Sequence, residues 1–463
     1  MVKTDNKPSG FQNLHKCLLQ LKPGKNKIME NSKDFYSTYT KILKSELLTA
    51  LGCTEPICIA YCSAVMRDAL GAEPEKIQAF CSGNLIKNAK GATVPNSGGL
   101  KGISASAILG AVGGNPAKRL ELLTEVTPEQ IEHAKELLAQ GICEETLLEH
   151  EEDKLQVIIR GEAQGHTAEA ELKYTHTNIC RVLRDGKPVP FSSFCEGVSV
   201  SGEHDENEAL YQELSIRKII DYAEKADLEK EDIRGAILHQ IRCNTAISNE
   251  GLKNNWGASV GKIILRRGNS VPLRATAAAA AGSDARMSGC ELPVVINSGS
   301  GNQGITVTMP IVEYAKELGK GEDELIRALM LGNLVAIHIK ASYGRLSAFC
   351  GVVSAATGSG AAITWLAGGS YDQICATITN TLGTISGMVC DGAKPSCAAK
   401  IASAVDTAIL AHEMAMAKKS FHSGEGLIKE NIEATIRSVG RMAAEGMVET
   451  DQKILELMME KEK

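Results

Sequence analysis

Three stretches of the chain combine residue types that could do chemistry. In Leu51-Gly52-Cys53-Thr54-Glu55-Pro56, the proline falls where a helix would open, leaving Cys53 just ahead of its amino terminus. The positive end of a helix dipole favours a thiolate, so Cys53 is expected to carry a lowered pKa. It could then serve as base, nucleophile or metal ligand; a buried capping thiol fits the same residues. Asn297-Ser298-Gly299-Ser300-Gly301-Asn302-Gln303-Gly304 runs into apolar Ile305 to Met309. Successive N–H groups at such a helix start make an anion nest, suited to a substrate carboxylate. A flexible turn is the alternative. Cys350-Gly351 is followed by the glycine-rich 354–360, and Cys390 and Cys397 bracket Asp391-Gly392-Ala393-Lys394-Pro395-Ser396. Thiolates of this kind hold iron–sulfur clusters, although the spacing is not that of a ferredoxin, and buried structural thiols are equally open.

Taken together and in order, LGCTEP, SGSGNQG, the Cys350 loop and CDGAKPSC resemble the L-cysteine desulfidase family. That family is related to the catalytic chain of iron–sulfur L-serine dehydratases, and the likeness runs from about residue 40 to about 450. It implies a [4Fe–4S] cluster on Cys350, Cys390 and Cys397, one iron left open to substrate, and Cys53 as the base that removes the α-proton. Ser298, Gly299, Ser300, Gly301, Asn302 and Gln303 would bind the substrate. The implied reaction is β-elimination of L-cysteine to hydrogen sulfide, ammonia and pyruvate, with L-serine dehydration as the alternative. Some serine dehydratases set a terminal cysteine on the open iron; this chain ends Met-Met-Glu-Lys-Glu-Lys. Two further readings compete. The Ser-Gly-Asn loop is similar to one in pyridoxal-phosphate lyases, but Lys253 and Lys262 lack the setting of a Schiff-base lysine. A non-catalytic iron–sulfur redox sensor is the other.

Secondary candidates are Asn84, Lys87 and Asn88 (substrate hydrogen bonds, or a solvated turn) and Arg286 (a carboxylate, or pairing within Ser283 to Arg286). His338 and Lys340 could approach the cluster, or be core residues. Cys53, Cys58 and Cys62 form an alternative ligand trio, or pack a helix. Cys17, Cys81, Cys143, Cys180, Cys195, Cys243 and Cys375 are expected to be small buried hydrophobes.

Periodicity places these residues on elements. It predicts helices over 34–51, 57–70, 128–138, 209–225, 230–247, 275–282, 321–338, 372–383 and 398–417. Alternating segments at 155–161, 167–174, 176–183 and 198–201 read as strands, with Asp185-Gly186 as a hairpin turn. Gly83 to Asn88 reads as loop, and glycine–serine clusters at 297–304, 351–360, 367–370 and 383–392 read as separators. The expected class is α+β: a mostly helical carboxyl-terminal catalytic domain with glycine-rich loops, plus a small α+β domain. The boundaries are 1–33 (extension), 34–115 (helical segment contributing to the site), 116–202 (small domain) and 203–463 (catalytic domain), with an acidic segment at 203–208.

Composition narrows the function classes. A formal net charge of −6, with no clustered basic face, argues against nucleic acid as partner; Arg266-Arg267 reads as a solvated loop. No run reaches the ~18 apolar residues of a bilayer span, and the lysine-rich start lacks an apolar signal core. A cytoplasmic protein is expected, in which the 14 cysteines stay reduced. Only 4% of residues are aromatic while 44 are glycine, which suits closely approaching helices. A homodimer is a candidate assembly.

Overall fold

The computed structural model describes residues 34–149, 153–190, 208–344 and 346–460. The chain divides into the units Met1–Phe35 and Tyr36–Lys463, and the elements below belong to the second. The extension expected over 1–33, Cys17, Cys195, the strand at 198–201 and most of the acidic 203–208 segment lie outside the described residues. The fold is α+β, about 59% helix, with the helices concentrated toward the carboxyl end.

A short strand, Thr49–Leu51, follows the first helix and pairs antiparallel with Pro293–Val295. Gly52 turns the chain out of that strand with φ +59, and a Cβ there would lie 2.6 Å from Pro95 Cγ, so only glycine fits. The helix Thr54–Leu70 comes next. It is apolar all round and buried along almost its whole length, which makes it a central element rather than a surface one.

One side of this helix faces a six-stranded sheet ordered Cys143–Leu147, Lys76–Cys81, Gln156–Ala163, His166–Lys173, Ile179–Arg184, Lys187–Pro188. The first pair is parallel and the others antiparallel. Alternation does what it should here: Val157, Ile159 and Ala163 turn inward on one strand, Ala168, Ala170 and Leu172 on the next. The sheet draws on residues either side of position 116. At its end, the turn after Lys173 passes through Tyr174 at φ +68 and carries His176 back toward the Thr54 end of the central helix.

The carboxyl half packs around the helix Val271–Met287, whose Ala277 to Ala281 run is fully enclosed. It touches Ile233–Lys253, Gly301–Glu317 and Cys397–Met416. Beyond, Val352–Leu366 lies between Glu322–Ala341 and Tyr371–Ile385. No helix is long and apolar enough to cross a membrane among the described residues.

Four local expectations are corrected. The segment 351–360 is no separator: Gly351 caps the buried helix Val352–Leu366 and the rest lies within it. Its hydroxyls are consumed inside the helix, Ser354 Oγ donating to Gly351 O at 2.8 Å and Thr357 Oγ1 to Val353 O at 2.7 Å. Gly83 to Asn88 is neither loop nor solvated turn but the buried helix Gly83–Ala89. The helix expected to Leu51 stops at Glu46, and the ribbon strand begins at Thr49. Cys143, Cys180 and Cys375 are only half-buried, whereas Cys81 and Cys243 are buried.

Candidate active site

The ribbon of Thr49–Leu51 on Pro293–Val295 determines what the site contains. One strand leads into Cys53 and the other into Asn297, so two motifs 245 residues apart meet side by side; Thr54 Oγ1 donates to Gly299 O at 2.9 Å. Asn297 and Ser300 exchange two backbone hydrogen bonds across Ser298 and Gly299, both at positive φ, the geometry of a tight hairpin turn. The helix Gly301–Glu317 starts there, and its first-turn amides have no partners within the helix. Sequence reading missed the buried amide network beneath the turn: Asn297 Nδ2 donates to Asn333 Oδ1 (3.0 Å), and Asn333 in turn exchanges hydrogen bonds with Gln240. A lone asparagine amid Leu329 to Ile337 was the available signal.

Cys53 caps the central helix at φ −81, ψ 129, and is 2% exposed. Its thiol donates to Glu55 Oε2 at 3.1 Å. Burial pushes this thiol well above the usual range, and the Glu55 charge adds to that, with Arg286 opposing. The expected lowering by the helix dipole is thus overturned. Glu55 shows the opposite balance: burial works against its charge, but the His176 ring, the Cys53 thiol and Arg286 outweigh it and hold the carboxyl near 2. His176 Nε2 stands 3.9 Å from Glu55 Oε1 and has no hydrogen-bond partner among the described residues.

The cysteine loops approach from the other side. Phe349 and Val389 form an antiparallel bridge, with Cys350 N donating to Met388 O (3.0 Å) and Cys390 N to Ala348 O (2.6 Å). The two thiols act on each other, lowering the pKa of Cys390, helped by Lys87, the Gly392 amide and Lys340 against burial, and raising that of Cys350. Cys397 opens the helix Cys397–Met416, packs against Cys53, and has its thiol raised by burial.

These pieces surround one pocket of about 680 Å³, its mouth and the open solvent in it included. Ser298, Gly299, Ser300, Asn302, Gln303, Cys350, Cys390 and Cys397 all line it. Cys53 does not reach its wall; it sits behind Glu55, which does, together with His176. Asn88, Arg286 and Lys340 also face the pocket, while Lys87 is committed to Asp451 at 2.5 Å and His338 to Glu433 at 2.7 Å. Cys58 and Cys62 bond carbonyls of Glu55 and Ala170 instead, so that trio does not assemble. Glu55 stood within a recognised motif; His176 had no sequence signal.

The donor set fits an iron–sulfur cluster. Three thiols bound one cavity, and Lys87, Lys340, Lys400 and Arg286 act on them electrostatically, supplying the counter-charge that thiolate ligation needs. Among the described residues no three His, Cys, Asp or Glu side chains gather as ligands of a single ion do. A cluster spreads its thiolates over separate irons.

The serine dehydratase alpha chain family model matches residues 117–456. A UPF0597 protein of Lachnoclostridium phytofermentans is 49% identical over 425 residues, covering 92% of this chain and 100% of that one. UPF0597 proteins of Finegoldia magna (48% identical, covering 91% and 99%) and Treponema denticola (45%, covering 93% and 100%) are similar along their whole lengths. The chain therefore belongs to the serine dehydratase alpha chain family, dehydratase-type lyases that generally bind an iron–sulfur cluster.

Proposed function

We propose that this protein is a lyase that eliminates the β-substituent of a small amino acid, taking L-cysteine to hydrogen sulfide, ammonia and pyruvate. Cys350, Cys390 and Cys397 would hold a [4Fe–4S] cluster. The observation that carries this reading is the convergence of those thiols with Ser298, Gly299, Ser300, Asn302 and Gln303 on one pocket, Gly301 of the nest not being on its wall. When bound, the cluster supplies a Lewis-acidic iron that polarises the leaving group. The chain does the rest. The first-turn amides of Gly301–Glu317 hold the α-carboxylate and orient the substrate. Cys53 is the proposed acceptor of the α-proton. From its place behind Glu55 it must turn to the pocket and first lose its thiol proton. Glu55 Oε2 at 3.1 Å is the neighbouring acceptor, an uphill transfer in the resting site because Glu55 is held near 2. The Cα–H electron pair then forms the Cα=Cβ bond as the β-substituent leaves with its bonding pair. Aminoacrylate departs and hydrolyses to pyruvate and ammonia.

L-Serine is the second substrate reading, favoured by the family match. Anaerobically prepared protein, assayed side by side for sulfide and pyruvate, tests both. Sulfide matched by pyruvate from L-cysteine is expected, with about four irons per chain. Pyruvate from L-serine alone would transfer the assignment to dehydration, and no pyruvate from either would end it.

A further inference from the structure

Arg286 is enclosed in the protein with 3% of its surface exposed, and among the described residues its guanidinium makes no hydrogen bond or ion pair. Arginine cannot shed its charge on burial, and the Glu55 carboxylate acts on it only from beyond contact, so a guanidinium without a contacting partner inside a protein calls for an anion. Its surroundings say where that anion sits. A Cβ at Gly301 would fall 2.3 Å from Arg286 Nε and 2.8 Å from Cζ. The guanidinium therefore lies close against the first residue of the Gly301–Glu317 helix, beside its first-turn amides, and Arg286 lines the pocket. Asn302 and Gln303, each about nineteen-twentieths buried, also present amide oxygens without partners. Unpaired donors of two kinds thus face one space, a planar fork and helix amides, with the two amide oxygens beside them as acceptors.

We propose that Arg286 binds the substrate's α-carboxylate, its fork meeting both oxygens while the helix amides complete the cradle. Gly301 is the opening that lets it approach. The site selects amino acids with a free carboxylate and rejects their amides. The identity of the reacting substrate rests on the elimination reading; the binding does not, and it is measured separately.

L-Alanine has no β-leaving group, so it binds without reacting. Calorimetric titration of the anaerobically purified protein should show saturable alanine binding, with L-alaninamide roughly 100-fold weaker. Arg286→Gln should weaken alanine about 100-fold and leave alaninamide binding unchanged, with iron retained because Lys87, Lys340 and Lys400 still act on the thiols; Arg286→Lys, which keeps charge but loses the fork, should weaken alanine about 10-fold. Wild-type affinity for alanine in R286Q overturns the assignment. So does equal binding of alanine and alaninamide by the wild type, or no saturable alanine binding. Loss of iron from R286Q with alanine affinity kept would make Arg286 the cluster's counter-ion instead. Should R286Q fail to fold by circular dichroism, R286K decides, and unchanged alanine affinity there overturns the proposal. Alanine binding without turnover of cysteine or serine would sink the elimination reading while leaving Arg286 in place.

Discussion

Cys53 and Glu55 share one hydrogen bond, and it governs what either residue can do. Cys53→Ser keeps the cap but supplies a far poorer base, so turnover should fall by ~10²–10⁴ while cluster absorbance stays; retained turnover removes Cys53 from the reaction. Glu55→Gln can no longer accept the thiol proton. Its kcat should drop at least ~10²-fold with KM little changed, and an unaltered kcat would mean that Cys53 is deprotonated by another route. The sequence placed Cys53 at the helix cap but misjudged its acidity. A helix dipole contributes about 0.3–1 kcal/mol, whereas removing a charge from water costs several, so burial beside a carboxylate decides the sign. The three thiols and the nest were legible because their residue types are unusual in combination. His176 was not, because only the turn after Lys173 brings it to Glu55.

Among elements, the site loop depends on amides buried beneath it. Asn333→Ala removes the partner of Asn297 and of Gln240, each fully enclosed. A loss of roughly 2–4 kcal/mol in urea unfolding is expected, with a raised KM as the 297–300 turn loosens; a change below about 0.5 kcal/mol would show that water replaces the amide. The long amphipathic pieces were readable: Pro128–Gln140 begins at a proline behind a Thr127–Gln130 capping box and ends at Gly141 in the left-handed region. Val352–Leu366 was not, since Ser, Thr and Gly inside a helix look like a loop until their hydroxyls are seen to bond back along it. Gly83–Ala89 escaped for another reason. Seven residues are too few to hold a helix alone, and tertiary contacts, Lys87 to Asp451 among them, stabilise it.

Across the whole molecule, that same pair ties the helix Val448–Met459 to residues 364 positions earlier. Asp451→Ala leaves the Lys87 ammonium buried without its partner and should cost about 3–5 kcal/mol; adding Lys87→Met should recover most of it, and failure to recover would place the loss in packing instead. A second global effect is acid sensitivity. His412, 8% exposed and bonded through Nδ1 to Thr364 Oγ1 at 2.9 Å, is held near pKa 4 by burial, below its ordinary 6.5. Between those values the unfolded chain takes up a proton that the folded chain refuses. Stability should therefore decline by ~3 kcal/mol as pH falls from about 6.5 to about 4. His412→Gln should flatten urea midpoints across that window, and an unchanged slope would assign the loss to other groups.

The ribbon joining Thr49–Leu51 to Pro293–Val295 also has a meaning in time. Thr54 and Gly299 are 245 residues apart, and synthesis at ~5–20 residues per second separates them by about 12–50 s. Throughout that interval a nascent chain carries Cys53 with nothing to face, and the thiols at 390 and 397 emerge later still. Closing so long a loop is a late event in folding, so a cluster held as proposed would be loaded only onto a nearly finished polypeptide.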